Sequence, residues 1–371
     1  LLIGVPKETK NHEYRVGLTP AGAEELTAAG HQVWVQKGAG LGSGIPDAEY
    51  VQAGAQMVGT PAEVYRRAEL VVKVKEPLEA EYPLIRRGQT LFCYFHFAPA
   101  KELTRAMMKT GATCAAFETL RLPNGEHPLL TPMSEVAGKM AIQEGAKYLE
   151  RSMGGKGILL GGVPGVRPAR VAILGGGVVG TNAAKAAAGL GARVTVLDKN
   201  AARLRYLDDI LPENVDTVSA NRRSVREACQ EADLLVGAVY SEGAKASRLV
   251  TEETVKSMRP GSVIVDVSID QGGCVATSRP TSHSDPVFTK HGVVHYCVTN
   301  IPGAVGMTST FALANATLPY VLAIAEAGIH AAAKKDPAVR HALNIVQGRI
   351  VHPAVAAAFK GKDVPALKHR G

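Results

Sequence analysis

The segment Arg170–Asp198, "RVAILGGGVVGTNAAKAAAGLGARVTVLD", holds Gly175, Gly177 and Gly180 in the spacing G-x-G-x-x-G between an apolar run and an alanine-rich one. The first run reads as a buried strand and the second as a helix. In such a strand–turn–helix the first glycine permits the tight turn, the second lets backbone N–H groups approach a pyrophosphate, and the third lets helix pack closely on strand. Glycines used only for packing in an ordinary βαβ crossover would show the same spacing. Here a second strand, "RVTVLD", follows and ends in Asp198, at the distance where an acidic residue meets an adenosine ribose. The unit therefore reads as a dinucleotide-binding turn. A carboxylate accepts hydrogen bonds from a 2′-hydroxyl and repels a 2′-phosphate, so NAD is expected over NADP. The nearby Lys199, Arg203 and Arg205 could hold a phosphate or be solvated on the following helix.

A nucleotide turn starting at residue 170 of a 371-residue chain leaves room for a second domain ahead of it. From there on, strand-like runs at 170–174, 193–198, 215–220, 233–239, 262–268 and 293–299 alternate with helix-like ones at 178–190, 200–210 and 222–231. This is the rhythm of a doubly wound parallel sheet. The earlier part alternates too: "LIGVP", "QVWVQ", "LVVKVK", "TLFCYFH" and "TCAAFE" are strand-like. The expected fold is α/β, with two doubly wound Rossmann-like domains and a cleft between them. A connecting helix is expected to start at Ser134, and a long apolar helix after Pro302 to break or kink at Pro319.

Composition narrows the function classes. With 46% hydrophobic and 20% charged residues the chain is ordinary for a globular protein. No run approaches the ~20 consecutive apolar residues of a membrane span, and the apolar part of "LLIGVPKETK" is short for a signal peptide. A cytoplasmic protein without a membrane partner is expected. Cys93, Cys114, Cys229, Cys274 and Cys297 are widely spaced, so neither a metal site nor a disulfide framework is indicated. The net charge of +8 is spread among acidic residues rather than gathered in a tract, and no nucleic-acid module is visible. An anionic cofactor and an anionic substrate suit that charge.

In open α/β sheets, ligands bind beyond the carboxyl ends of the strands. "LVVKVK" ends in Lys75, "TLFCYFH" ends in His96, "SVIVDVSID" runs into Asp270, and Arg15 follows the first strand at a similar level. Together they would offer two cations, an imidazole and a carboxylate to a small acid. Each also has a plainer reading: Lys75 an exposed strand end, His96 a core histidine in an aromatic run, Arg15 a surface ion-pair former, Asp270 a turn cap before Gly272 and Gly273.

Motifs outside the nucleotide turn carry a wider likeness. "IGVPKETKNHEYRVGLTP", "VKVKEP", "YFHFA", "GKGILLGGVPGV", "VDVSIDQGG", "HYCVTNIPGAVG" and "TSTFALANATLPYV", together with the glycine turn, resemble the alanine dehydrogenase and pyridine nucleotide transhydrogenase family over nearly the whole chain. The resemblance implies a discontinuous substrate domain, 1–134 and 304–371, around an NAD domain, 135–303. It implies NAD-dependent oxidative deamination of L-alanine to pyruvate and ammonia, and the reverse reductive amination, by a homo-oligomer, usually a hexamer. On the same likeness Arg15 and Lys75 bind the substrate carboxylate, His96 is the acid/base and Asp270 assists. The implied NAD contacts, besides the three glycines, are Ser134, Val178, Val179, Asp198, Arg203, Ala220, Val239, Tyr240, Val267, Ser268, Ile269, Asp270, Arg279, Val298 and Asn300. Gly306-Met307 replaces a Pro-Arg usual in the family, Ala220 stands where a serine is usual, and the chain begins Leu1-Leu2. The rival readings are the NAD-binding component of a proton-translocating transhydrogenase, whose family pattern lacks counterparts of Lys75 and His96, and a non-catalytic NAD-responsive protein.

Overall fold

A computed structural model describes residues 1–239 and 246–359; the expected contact Tyr240 lies outside the described residues. The chain divides into two compact units, Leu1–Met133 with Gly303–Gly371, and Ser134–Pro302. The strands are β1 (Leu2–Val5), β2 (Gln32–Gln36), β3 (Gln56–Val58), β4 (Leu70–Val72), β5 (Thr90–Cys93), β6 (Thr113–Ala116), β7 (Arg170–Leu174), β8 (Arg193–Asp198), β9 (Val215–Ser219), β10 (Leu234–Gly237), β11 (Val263–Asp266), β12 (Val287–Lys290), β13 (Val293–Tyr296), β14 (Leu343–Val346) and β15 (Arg349–Ile350).

The first unit holds a sheet in the order β15-β14-β6-β5-β4-β1-β2-β3. Strands β1 to β6 pair in parallel, while β14 runs antiparallel to β6. The second unit holds β12-β13-β11-β10-β7-β8-β9, parallel except for β12 against β13. Both are Rossmann-like α/β sheets. Strands such as Leu70–Val72 and Leu234–Gly237 are buried at every residue, which is why they read as unbroken apolar runs. Strand β12 escaped the sequence reading because none of its residues is buried and it pairs only at the sheet edge. In each sheet the strand order reverses beside the first strand, at β4-β1-β2 and at β10-β7-β8. Connections leave such a point in opposite directions, opening a crevice at the strand ends.

The discontinuity of the first unit has a packing cause. Ile345 on β14 is fully buried in a cluster with Val71, Leu91, Phe95, Met107 and Cys114, so the returning C-terminal segment completes this core. The second core gathers Ala172, Leu174, Leu197, Val225, Leu235 and Ile264. All five cysteines are buried and unbridged.

One helix differs from expectation in where it starts. The connecting helix runs Thr131–Tyr148, beginning ahead of Ser134, because Pro132 has its φ already set for a first helical turn. The helix Gly306–Ala327 passes through Pro319 without a break. Pro319 and Asn315 are both exposed, so the Asn315 carbonyl that loses its partner can turn to water. Gly306 sits under Tyr14, where a Cβ would come within 2.7 Å of the tyrosine Cβ. The helix therefore starts normally despite the departure at Gly306-Met307. By length and composition the stretch Ile301–Ala327 is apolar enough to cross a bilayer, which a count of consecutive apolar residues did not reveal. A core helix meets the same criterion, and this one buries Thr310, whose hydroxyl accepts from the Val16 N–H and pairs with Ser43 Oγ.

The glycine turn allows a direct test of packing. A Cβ on Gly180 would lie 1.8 Å from the Gly175 carbonyl oxygen, a backbone atom that cannot swing aside. Gly180→Ala is expected to destabilise the second unit by about 1–3 kcal/mol, the usual cost of overpacking, and to weaken NAD binding with it. Thermal melts with and without NAD check this; an unchanged melting temperature would mean the turn relaxes freely.

Candidate functional site

In the first unit the loop after β1 carries Glu8, Glu13 and Arg15 to the point where the strand order reverses, and the ends of β4 and β5 bring Lys75, Tyr94 and His96. Arg15 is only 2% exposed. Its Nε and Nη2 donate to the two carboxylate oxygens of Glu13 at 2.6 and 2.5 Å, and its Nη1 reaches Met133 Sδ at 3.1 Å. The bidentate geometry fixes the plane of the guanidinium. Burial disfavours the Arg15 charge, but the hydrogen bonds and charge of Glu13 outweigh it and hold the group protonated. Arg15 is thus an ion-pair former, but a buried one.

Lys75 is half-buried, with its ammonium 6.0 Å from the centre of the Tyr94 ring. Burial, reinforced by the Arg15 charge, holds its pKa below the usual lysine value. A carboxylate drawn to both cations relieves that repulsion. Backbone N–H groups of Val74 and Lys75 donate to Glu8 Oε1 at 2.7 and 3.3 Å, and Glu8 is paired in turn with buried Lys73 at 3.5 Å. Lys73 also donates to Glu81 at 2.9 Å. This network ties the Arg15 loop to the end of β4.

His96 is exposed, so the core-histidine reading falls away. Its ring is parallel to Tyr94, with centroids 5.9 Å apart and planes 6° apart. Tyr94 is buried, its phenol pushed up by burial, and its hydroxyl donates to the Leu129 carbonyl at 2.5 Å. One aromatic ring therefore lies against both Lys75 and His96. Arg15, Lys75 and His96 come together in this unit; Asp270 belongs to the other and is exposed in the turn Val267–Gln271.

The sequence reading missed Glu8, Glu13, Tyr94, Glu118 and Met133. Tyr94 had a local signal, since residues two apart at a strand end share a face and Tyr94 precedes His96 by two. Glu13 also precedes Arg15 by two, but in a loop, where no strand period applies. Glu8, Glu118 and Met133 reach the cluster only through tertiary folding.

In the second unit the helix Val178–Gly189 starts at Gly177 with no side-chain cap, and a Cβ on Gly177 would meet nothing within 4 Å. The first N–H groups of that helix can thus face an anion approaching closely. Gly175, at φ +99°, lies where a Cβ would strike the Ala238 carbonyl at 2.5 Å. These features fit a dinucleotide pyrophosphate. Asp198 ends β8 half-buried; its Oδ2 accepts the Gly176 N–H at 2.7 Å and its Oδ1 the Asn200 N–H at 2.8 Å. Arg203 donates to the Gly176 carbonyl at 2.5 Å and to Thr181 Oγ1 at 2.8 Å, and stacks on Tyr206. Of the basic cluster, Arg203 is therefore a brace for the turn, while Lys199 and Arg205 are exposed.

The other expected contacts take various positions around this sheet. The Ala220 N–H donates to the Asp198 carbonyl at 2.9 Å, and Ser268 Oγ donates to the Val239 carbonyl at 2.8 Å. Val267, Ser268 and Ile269 form the turn after β11, the last two buried. Arg279 is exposed with its guanidinium 4.3 Å from the Phe288 ring centre, Val298 is fully buried, and Asn300 adopts φ +60°. Val178 is exposed, Val179 half-buried, and Ser134 lies half-buried in the connecting helix.

Residues 4–137 match the N-terminal domain, and residues 141–353 the C-terminal domain, described for alanine dehydrogenase/PNT proteins. The chain belongs to the alanine dehydrogenase/PNT family. Within this family it is 56% identical over 369 residues to an alanine dehydrogenase of Methanococcus maripaludis, covering 99% of both chains. A solved L-alanine dehydrogenase is 53% identical with a TM-score of 0.94, covering 97% of this chain and 99% of its own. A transhydrogenase from Sinorhizobium meliloti shares the fold at 26% identity and a TM-score of 0.81, covering 95% of this chain and 100% of its own.

Proposed function

We propose that the chain is an NAD-dependent alanine dehydrogenase, converting L-alanine and water to pyruvate and ammonia and running the reverse reductive amination. The observation that carries this reading is the Lys75–Tyr94–His96 cluster beside buried Arg15, found in a chain more than half identical to alanine dehydrogenases along almost its whole length. The transhydrogenase reading has less support, from lower identity and from the presence of Lys75 and His96.

Arg15, already oriented by Glu13, and Lys75 hold the substrate carboxylate by charge-assisted hydrogen bonds and so fix the direction of the Cα–H bond. Bound NAD supplies the hydride acceptor. His96 takes a proton as water adds to the imino carbon of iminopyruvate and returns it to the nitrogen as ammonia leaves. Asp270 assists this proton movement. Gly175, Gly177, Gly180, Val178 and Val179 take the pyrophosphate, Asp198 the ribose hydroxyls, and Ser134, Arg203, Ala220, Val239, Tyr240, Val267, Ser268, Ile269, Arg279, Val298 and Asn300 the rest of the dinucleotide. The substrate domain is 1–134 with 304–371 and the NAD domain 135–303, a division supported by the two compact units. The assembly is a homohexamer and the location cytoplasmic, both on the family likeness.

A substrate panel followed by NADH absorbance in both directions tests the assignment. Alanine and pyruvate are expected to turn over best; no NADH from alanine while another amino acid reacts well would sink it. Asp198→Ala should weaken NAD by about 1.5–3 kcal/mol, the value of a charged hydrogen bond, and narrow the preference over NADP. Because Asp198 also holds Gly176, the variant should loosen the turn as well. Equal cofactor ratios in the variant and the parent would show that Asp198 does not read the ribose.

A further inference from the structure

His96 has φ +52°, in the left-handed region that side chains other than glycine enter sparingly, and something must hold it there. Strand register supplies the partner. Cys93 on β5 is paired with Ala116 on β6, so the chain leaving β6 runs beside Tyr94–His96. Glu118 lies in the short turn Phe117–Thr119 on that path. Its Oε1 accepts the His96 N–H at 2.7 Å and its Oε2 the Phe95 N–H at 3.3 Å. Successive N–H groups converging on one anion are a known consequence of a left-handed residue in the turn.

The residues flanking Glu118 are held on both sides. Phe117 is fully buried and edge-on to Tyr94 at 5.0 Å, the ring that His96 stacks against. Thr119 Oγ1 accepts from Asn344 Nδ2 at 2.6 Å, so the C-terminal strand braces the same turn. We propose that Glu118 is a positioning residue for His96, its carboxylate clamping the two N–H groups of the turn and thereby setting the imidazole against Tyr94. Glu118 touches no reacting atom in this account. The inference rests on the reading of His96 as the acid/base.

The test uses the full chain, with Glu118→Ala and Glu118→Gln compared with the parent and with His96→Ala. Glu118→Ala should lower kcat by roughly 10- to 100-fold, in line with the cost of a misplaced catalytic group. KM for alanine and NAD affinity should stay near those of the parent. Glu118→Gln, whose amide oxygen can still accept one N–H, should recover part of the loss. Crystal structures of the variants should show the imidazole moved off the Tyr94 ring. A kcat equal to the parent's, or a lowered kcat with the imidazole still in place, would overturn the proposal. If Glu118→Ala does not fold, the same two readouts on Glu118→Gln decide. The reading beneath it is tested separately: an active His96→Ala enzyme would remove the acid/base role whatever the Glu118 variants do.

Discussion

His96→Ala is expected to cut alanine turnover by roughly 100- to 10,000-fold, the usual loss when a general acid/base is removed. At ~1.4 kcal/mol per factor of ten, that is about 3–6 kcal/mol of barrier. The fold should hardly notice. His96 is exposed, so its removal opens no core cavity, and the Glu118 clamp grips the backbone N–H, which alanine retains. NAD binding should persist, since the glycine turn and Asp198 are in the other unit. Melting temperature, NAD affinity and turnover measured on one preparation check all three. A variant that melts early yet keeps its turnover would return His96 to a structural role.

Arg15→Ala is expected to act on stability and on substrate binding together. It leaves Glu13 buried without its bidentate partner, and breaking a buried pair on one side costs about 3–5 kcal/mol. It also removes a cation from the substrate carboxylate, so KM for alanine should rise. The double variant Glu13→Gln with Arg15→Met separates the effects, because it removes both charges and keeps most of the volume. Stability should largely return in the double variant while alanine binding does not. Denaturant unfolding and steady-state kinetics provide the measurements; equal stability of Arg15→Ala and the parent would show that the contacts Glu13 retains, among them the backbone N–H of residue 15, suffice to hold it.

Local pattern made much of the architecture readable. The second unit's parallel strands coincide with the apolar runs expected at 170–174, 193–198, 215–220, 233–239, 262–268 and 293–299, with ends trimmed by up to a few residues. Buried parallel strands need apolar side chains on both faces, so their signal is continuous. Edge and antiparallel strands lack it: β12 and the short β3 went unseen, and the C-terminal β14 joins β6 across more than two hundred residues of chain. One helix start was misplaced, by three residues, because Pro132 was not read as a first-turn residue. Pro132 opens that helix, whereas Pro319 sits inside one, at a turn where the exposed Asn315 lets the orphaned carbonyl reach water.

The sequence by itself determined the residue types available for chemistry: the glycine spacing, the acid ending β8, and cations and an imidazole at strand ends. These depend on short stretches of chain, where strand and helix periods dictate which way a residue can point. Tertiary structure alone decided how those groups are held. Glu13 makes Arg15 a buried ion pair, Tyr94 lies against both Lys75 and His96, Glu8 ties the β1 loop to the end of β4, and Glu118 clamps the His96 turn. Most of these contacts join segments far apart in the chain. Beyond the i,i+2 pairs Glu13–Arg15 and Tyr94–His96, no local pattern encodes them, because they exist only once parallel strands set their neighbouring ends side by side.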